Sequence, residues 1–261
     1  MPVYRPRRKT PTPWSGYIKP FKITDSVCYV GVYQVCTHLI DTGEGLIIVD
    51  AGYADCLYMI VDSIHRMGYD PTDIRYIIST HGHGDHMEAN PALRGLTGAK
   101  VVLGEKDLPA GEKFGGADIA VKDGDVLSLG NKKIKFIHTP GHTAGCMSFT
   151  FEDTVDGRPV LAGTFGGAGA NTLTAASSGY YPGCTDDYLR SVERLEKIPL
   201  DVFLANHTWN NDTEGKGRKL LETGVNDFVR PETNDWLPFL AYCRERCLRM
   251  VEKDRAAGLI P

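Results

Sequence analysis

The sequence has no apolar stretch approaching transmembrane length, and nothing in it calls for a membrane partner. It also lacks an excess of positive charge. With 29 Lys and Arg against 33 Asp and Glu, the net charge is -4, which leaves no electrostatic footprint for nucleic acid. Paired cysteine spacing is missing too. Seven cysteines, at 28, 36, 56, 146, 184, 243 and 247, are an odd number without a framework. They read as buried free thiols of a reducing compartment, with Cys243 and Cys247 one helical turn apart on a shared buried face. No linker, low-complexity tract or charge block interrupts the chain, so residues 21–261 read as a single domain preceded by an irregular arm over 1–20. The stretch from Met1 to Trp14 is basic and Pro-rich but has no signal-peptide core. As written the chain is expected in the cytoplasm, or in the periplasm or outside the cell if an export signal has been removed.

What is present is ordinary for a globular protein: 261 residues, 42% hydrophobic and 24% charged. Runs at 26–30, 37–40 and 46–50 predict strands. Leu57, Ile60, Val61, Ile64 and Met67 recur at helical spacing up to Gly68. Further strands are expected at 74–79 and 101–103, with a short helix over 89–96 between them. Hairpins follow around Gly130-Asn131 and Asp156-Gly157. Thr185 is placed to cap a helix carrying Tyr188, Val192 and Leu195. Val202 to Ala205 reads as a strand, and 232–253 as a long helix burying Trp236, Leu240, Cys243, Cys247 and Met250. This order predicts two β-sheets packed together with helices on the outer faces, an αββα sandwich.

One segment carries chemistry. His81-Gly82-His83-Gly84-Asp85-His86 packs three imidazoles and a carboxylate into a turn just after the strand at 74–79. Histidines two apart on extended backbone point the same way and suit one cation, and the following Asp-His pair turns toward a second. Gly82 and Gly84 are read as allowing a tight bend and keeping bulk away from the ions. Two more histidines stand past strand ends: His142 in Thr139-Pro140-Gly141-His142-Thr143, and His207 after Asn206. His38, His65 and His138 have no such company and read as structural. Cys146 reads as packing.

The HxHxDH motif, the later Gly-His-Thr and the late strand-end histidine, in that order, resemble the metallo-β-lactamase superfamily. Weaker local matches are similar to its third subclass of true β-lactamases. They are Pro20 to Ile23 leading to Tyr29-Val30-Gly31, Gly141 to Cys146, Asp153 to Val160, and Tyr181-Pro182 with Asp187 to Ser191. That resemblance implies an αββα sandwich of two mixed sheets and a site for two zinc ions per chain. It places His81, His83 and His142 on the first ion and Asp85, His86 and His207 on the second.

The resemblance also shows a departure. Where most dinuclear hydrolases of the superfamily carry a bridging Asp, this chain reads Leu161-Ala162-Gly163-Thr164-Phe165, so the bridging place falls on Thr164. Lactonases and glyoxalase-type thioesterases usually keep that Asp, whereas third-subclass lactamases lack it. Gly166-Gly167 and Asn206 depart from that subclass. The implied activity is opening of a β-lactam amide by zinc-held hydroxide, with Asp85 orienting the nucleophile. Thr164 and Asn171 are expected to contact a small carboxylate-bearing substrate, whereas Tyr33 and Gln34 read first as an ordinary hairpin tip and second as part of the cleft wall. The alternative is a metallohydrolase of the same fold acting on lactones, thioesters or other esters. A di-iron oxidoreductase of this fold is disfavoured by His83, where its pattern puts Glu, and a non-catalytic scaffold by retention of all six ligands.

Overall fold

The computed structural model describes residue 10 and residues 12–260. Its first sheet runs in sequence order: β1 (Phe21–Lys22), β2 (Val27–Tyr29), β3 (His38–Asp41), β4 (Leu46–Val49), β5 (Ile74–Ile78), β6 (Lys100–Gly104) and β7 (Ile119–Val121). The first four strands are antiparallel, and β4 through β7 are parallel. The second sheet comprises β8 (Val126–Leu129), β9 (Lys132–His138), β10 (Met147–Val155), β11 (Arg158–Thr164) and β12 (Val202–Phe203), ordered β12-β11-β10-β9-β8. Only the β11–β12 pair is parallel there. The helices are α1 (Leu57–Arg66), α2 (Gly84–Met87), α3 (Asn90–Thr97), α4 (Leu108–Gly111), α5 (Cys184–Glu196), α6 (Thr213–Thr223) and α7 (Trp236–Ala256). Both sheets are mixed, as expected.

Strand β4 shows why the layers form. It is apolar at every position, and its alternate side chains enter different cores. Ile47 and Val49 join Phe136, Phe149 and Phe151 of the second sheet, whereas Leu46 and Ile48 join Ile60 and Ile64 of α1 and Leu93 of α3. Helices α5 and α7 pack on each other and contribute Val192, Leu195, Trp236 and Cys243 to the core that holds the second sheet. Trp236 is almost wholly buried, and its indole N–H donates to the Ile198 carbonyl at 2.8 Å. Burying each large apolar side chain contributes roughly 1.5–3 kcal/mol, so the two cores are ample to hold strand ends in place.

Several local expectations need correction. Thr185 does not cap α5. The helix begins at Cys184, and Gly183 occupies the cap position at φ +87°, a conformation a β-branched residue resists. The last helix starts at Trp236, because Pro231–Thr233 forms a separate 3₁₀ turn. Helix α6 has no clear apolar stripe and contains two glycines, which hid it from periodicity. Residues 1–9 and 11 of the arm lie outside the described residues. Pro13–Gly16 form a 3₁₀ turn, and Tyr17 pairs with Val32. All seven cysteines are free and buried. None of the described helices is long and apolar enough to cross a membrane.

The C-terminal ends of β4, β5, β9, β11 and β12 lead into Asp50, His81, His142, Thr164 and His207, so one end of the sandwich gathers the polar side chains.

Candidate metal centre

Strand β5 ends at Ile78, and the chain passes through Ser79 and Thr80 to His81, which is 1% exposed. His83 is extended and caps α2, whose single turn carries Asp85 and His86. The change from extended to helical backbone turns Asp85 and His86 away from the direction of His83. Beyond β9, Gly141 takes φ +138°, and a Cβ there would lie 2.5 Å from that of Tyr188. That close approach to α5 delivers His142. The rings converge: centroids of His81 and His142 are 4.7 Å apart, His83 and His142 4.6 Å, and His81 and His86 4.1 Å. His207 lies 5.1 Å from His86, with its Nε2 3.9 Å from Asp85 Oδ2.

Two triads present ligand atoms all within 4.8 Å of one another: His81, His83 and His142, and His81, Asp85 and His86. His81 therefore stands between the two halves. His207 comes to the second half through Asp85 and His86 rather than as a member of that tight triad.

The hydrogen bonds assign a tautomer to four of the five rings. Asp50, 1% exposed at φ +57°, accepts from Thr80 N (2.8 Å), Thr80 Oγ1 (2.9 Å) and His86 Nδ1 (2.8 Å). Having donated to Asp50, the Thr80 hydroxyl accepts from His81 Nδ1 at 3.1 Å. His142 Nδ1 donates to the Gly169 carbonyl at 2.7 Å, with Thr172 Oγ1 at 3.1 Å. His207 Nδ1 donates to the Gln34 carbonyl at 3.0 Å. Each ring keeps an Nε2 lone pair, and those of His81 and His86 are buried without a hydrogen-bond partner. Buried orphan acceptors are costly, and convergent imidazole lone pairs beside a carboxylate are a zinc-type donor set. The residues present fit a metal.

Electrostatics points the same way. Burial, reinforced by neighbouring imidazoles, pushes His81 and His142 well below the ordinary histidine range. Burial also lowers His83, against the pull of Asp85. These three are therefore neutral and able to donate. Burial acts against ionised Asp85, but His86 and His207 outweigh it and hold the carboxyl below its usual value. Burial likewise depresses His86, yet the Asp50 carboxylate prevails and leaves it raised.

Sequence reasoning missed the groups that hold the candidate ligands. Asp50 was visible as the end of an apolar strand and assigned no role. Asp107 sits in a Gly-rich stretch without pattern. It accepts from Gly82 N (2.8 Å), Thr143 Oγ1 (2.6 Å) and Gly145 N (2.7 Å), tying the His81–His86 turn to the His142 turn. Gly82 lies in the bend that precedes α2, without needing positive φ. At Gly82 a Cβ would lie 2.7 Å from Ala110 Cβ, and at Gly84 3.1 Å from Glu88 Oε1 and 3.2 Å from Phe114 Cζ, so neighbouring side chains crowd both positions.

Tyr33 is buried with its ring 6.2 Å from Trp209, which stacks on His207 at 4.5 Å, and Gln34 supports His207 through its carbonyl. Thr164 is buried at the end of β11 with its hydroxyl unpartnered. Asn171 is exposed on the loop beside Gly169. Cys146 is buried, and burial drives its thiol far above the ordinary range. Among the other histidines, His38 is buried, His65 is exposed in the last turn of α1, and His138 contacts the Ala144 carbonyl at 2.8 Å.

The family model described as "Metallo-beta-lactamase superfamily" matches residues 30–207. A hydroxyacylglutathione hydrolase of Methylococcus capsulatus is 35% identical over 134 residues, covering 50% of this chain and 47% of that protein. One from Maricaulis maris is 29% identical over 231 residues, covering 88% and 77%. The chain thus spans about half the length of the first of these relatives. Among solved structures, a subclass B3 metallo-β-lactamase of Bradyrhizobium japonicum superposes with a TM-score of 0.84 at 27% identity, covering 94% of this chain and 97% of that one.

Proposed function

The chain belongs to the metallo-β-lactamase superfamily, and on that footing we propose that it is a metal-dependent hydrolase of acyl bonds in small molecules. The observation that carries this is the pair of buried, unpartnered Nε2 atoms of His81 and His86, aimed into a cluster with His83, His142 and Asp85. His81, His83 and His142 would hold one zinc ion, and Asp85, His86 and His207 a second. Zinc bound there supplies Lewis acidity toward a carbonyl and lowers the pKa of water toward about 7. Asp85, partly exposed and kept ionised, orients the attacking water and accepts its proton. Thr164 and Asn171 contact the substrate. With one carboxylate among six ligands the loaded centre is cationic, which favours a substrate bearing its own carboxylate.

For the bond cleaved, the curated relatives favour the alternative over the β-lactam amide. Both named above are hydroxyacylglutathione hydrolases, so a thioester or related ester is the first reading. The β-lactam amide is the second. It draws support from the B3 neighbour, similar over nearly the whole chain, and from Thr164 standing where a bridging carboxylate would be expected. The test is a panel of S-acyl glutathione thioesters, lactones, penicillins, cephalosporins and carbapenems, each with and without chelator. Chelator-sensitive turnover fastest on thioesters supports the first reading, and fastest on β-lactams the second. Turnover that chelator leaves untouched sinks both.

A further inference from the structure

We propose that Asp254, near the C-terminal end of α7, is a positioning residue for the His142 half of the metal centre, acting through the loop 166–175. The inference rests on the reading of His142 as a metal ligand.

The first five residues of that loop, Gly166-Gly167-Ala168-Gly169-Ala170, have no large side chain with which to fix themselves, and Leu173 is buried in the core further along it. The loop nevertheless has to place two acceptors accurately. The Gly169 carbonyl takes the His142 Nδ1–H, and the Thr172 hydroxyl both donates to the His142 carbonyl at 2.7 Å and approaches Nδ1. Neutral contacts fasten its first part. Asn206 donates to the Gly166 carbonyl at 2.9 Å, and the Tyr188 hydroxyl to the Ala168 carbonyl at 2.6 Å. Its far end is held by a carboxylate. Asp254 Oδ1 accepts from Thr174 Oγ1 at 2.6 Å, and Oδ2 from Ala175 N at 2.7 Å, so both oxygens are engaged. Thr174 lies two residues past Thr172. Hydrogen bonds to an ionised acceptor are roughly twice as strong as neutral ones.

Position makes the contact informative. Asp254 lies in the last turn of α7, where the helix dipole disfavours negative charge, and is only 4% exposed. A carboxylate there is opposed by the helix and by desolvation, and the two donors offsetting both come from the loop that orients His142.

The experiment measures zinc affinity of Asp254→Ala and Thr174→Val by competition with a chromophoric chelator. Separately, ¹⁵N-histidine spectra of the metal-free proteins report the His142 tautomer. Asp254→Ala is expected to weaken one of two ions by about 10–100-fold, the range for losing a group that orients a ligand, and to mix the His142 tautomers. Thr174→Val, which removes one of the two donors and leaves the carboxylate, should do the same to a smaller extent. Unchanged affinity and an unchanged tautomer in either folded variant overturn the proposal. So does equal weakening of both ions, which would mark a merely structural role. If His142→Ala binds metal as the parent does, the ligand assignment fails instead, and the metal-free tautomer still reports on Asp254.

Discussion

Two sides of the candidate metal centre are held by different chemistry. On the β5 side, His81 and His86 are oriented by one buried carboxylate, Asp50, directly or through Thr80. On the side of β9 and β12, His142 and His207 are oriented by backbone carbonyls of Gly169 and Gln34. A carboxylate raises the basicity of a ligand and fails completely when its side chain is removed. A carbonyl survives any substitution that leaves the backbone path intact. The β5 side should therefore be sensitive to side-chain chemistry, and the side of β9 and β12 to backbone shape.

Asp50→Ala is the most damaging change expected. It strands Thr80 N, the Thr80 hydroxyl and His86 Nδ1 in a fully buried place, which should cost roughly 3–5 kcal/mol. Urea unfolding of the metal-free variant measures this, and a loss below about 1 kcal/mol would break the comparison.

Gly169→Ala tests the carbonyl half. A Cβ there would lie 2.8 Å from His142 Cε1 and 2.7 Å from Asn171 Oδ1, so the loop or the ring must move. Zinc affinity should fall about 10–100-fold with a smaller effect on folding, as read by chelator competition alongside thermal melts.

A third prediction concerns pH and lies outside the ligands. Burial drives His38 down to about 3. Because the unfolded chain takes up a proton near 6.5 and the folded one does not, this contribution is complete above about pH 6.5. It is lost as pH falls from there toward 3, at about 1.4 kcal/mol per pH unit. His38→Gln should flatten that limb, and unfolding midpoints at pH 7 and pH 5 that still differ as in the parent would refute it.

The mildest change is Gln34→Gly. Gln34 holds φ +103°, which glycine adopts freely, and the carbonyl that orients His207 remains. Stability should stay within about 1 kcal/mol, because relieved backbone strain offsets the lost side-chain contacts. Zinc affinity should be unchanged in the same chelator competition, and a marked loss would show that the side chain, not the carbonyl, does the orienting.

The same contrast explains what could be read from sequence. The six proposed ligands stand out in the sequence because donor residue types at strand ends, with HxHxDH spacing, are rare without a metal. The sandwich was legible because strands such as 46–49 are apolar throughout and their order permits few topologies. Carbonyl acceptors leave no trace in residue identity, so the roles of Gly169 and Gln34 were invisible. Asp107 and helix α6 were hidden for a related reason: each lies in a Gly-containing stretch whose meaning comes from distant partners.

What most needs testing is that the residues of these two differently supported sides together form one centre for two ions. Zinc titration of metal-free protein beside His142→Ala, followed by isothermal calorimetry, tests it most directly. The parent should take up two equivalents and the variant only one with comparable affinity. A variant that binds both ions as the parent does would contradict the account.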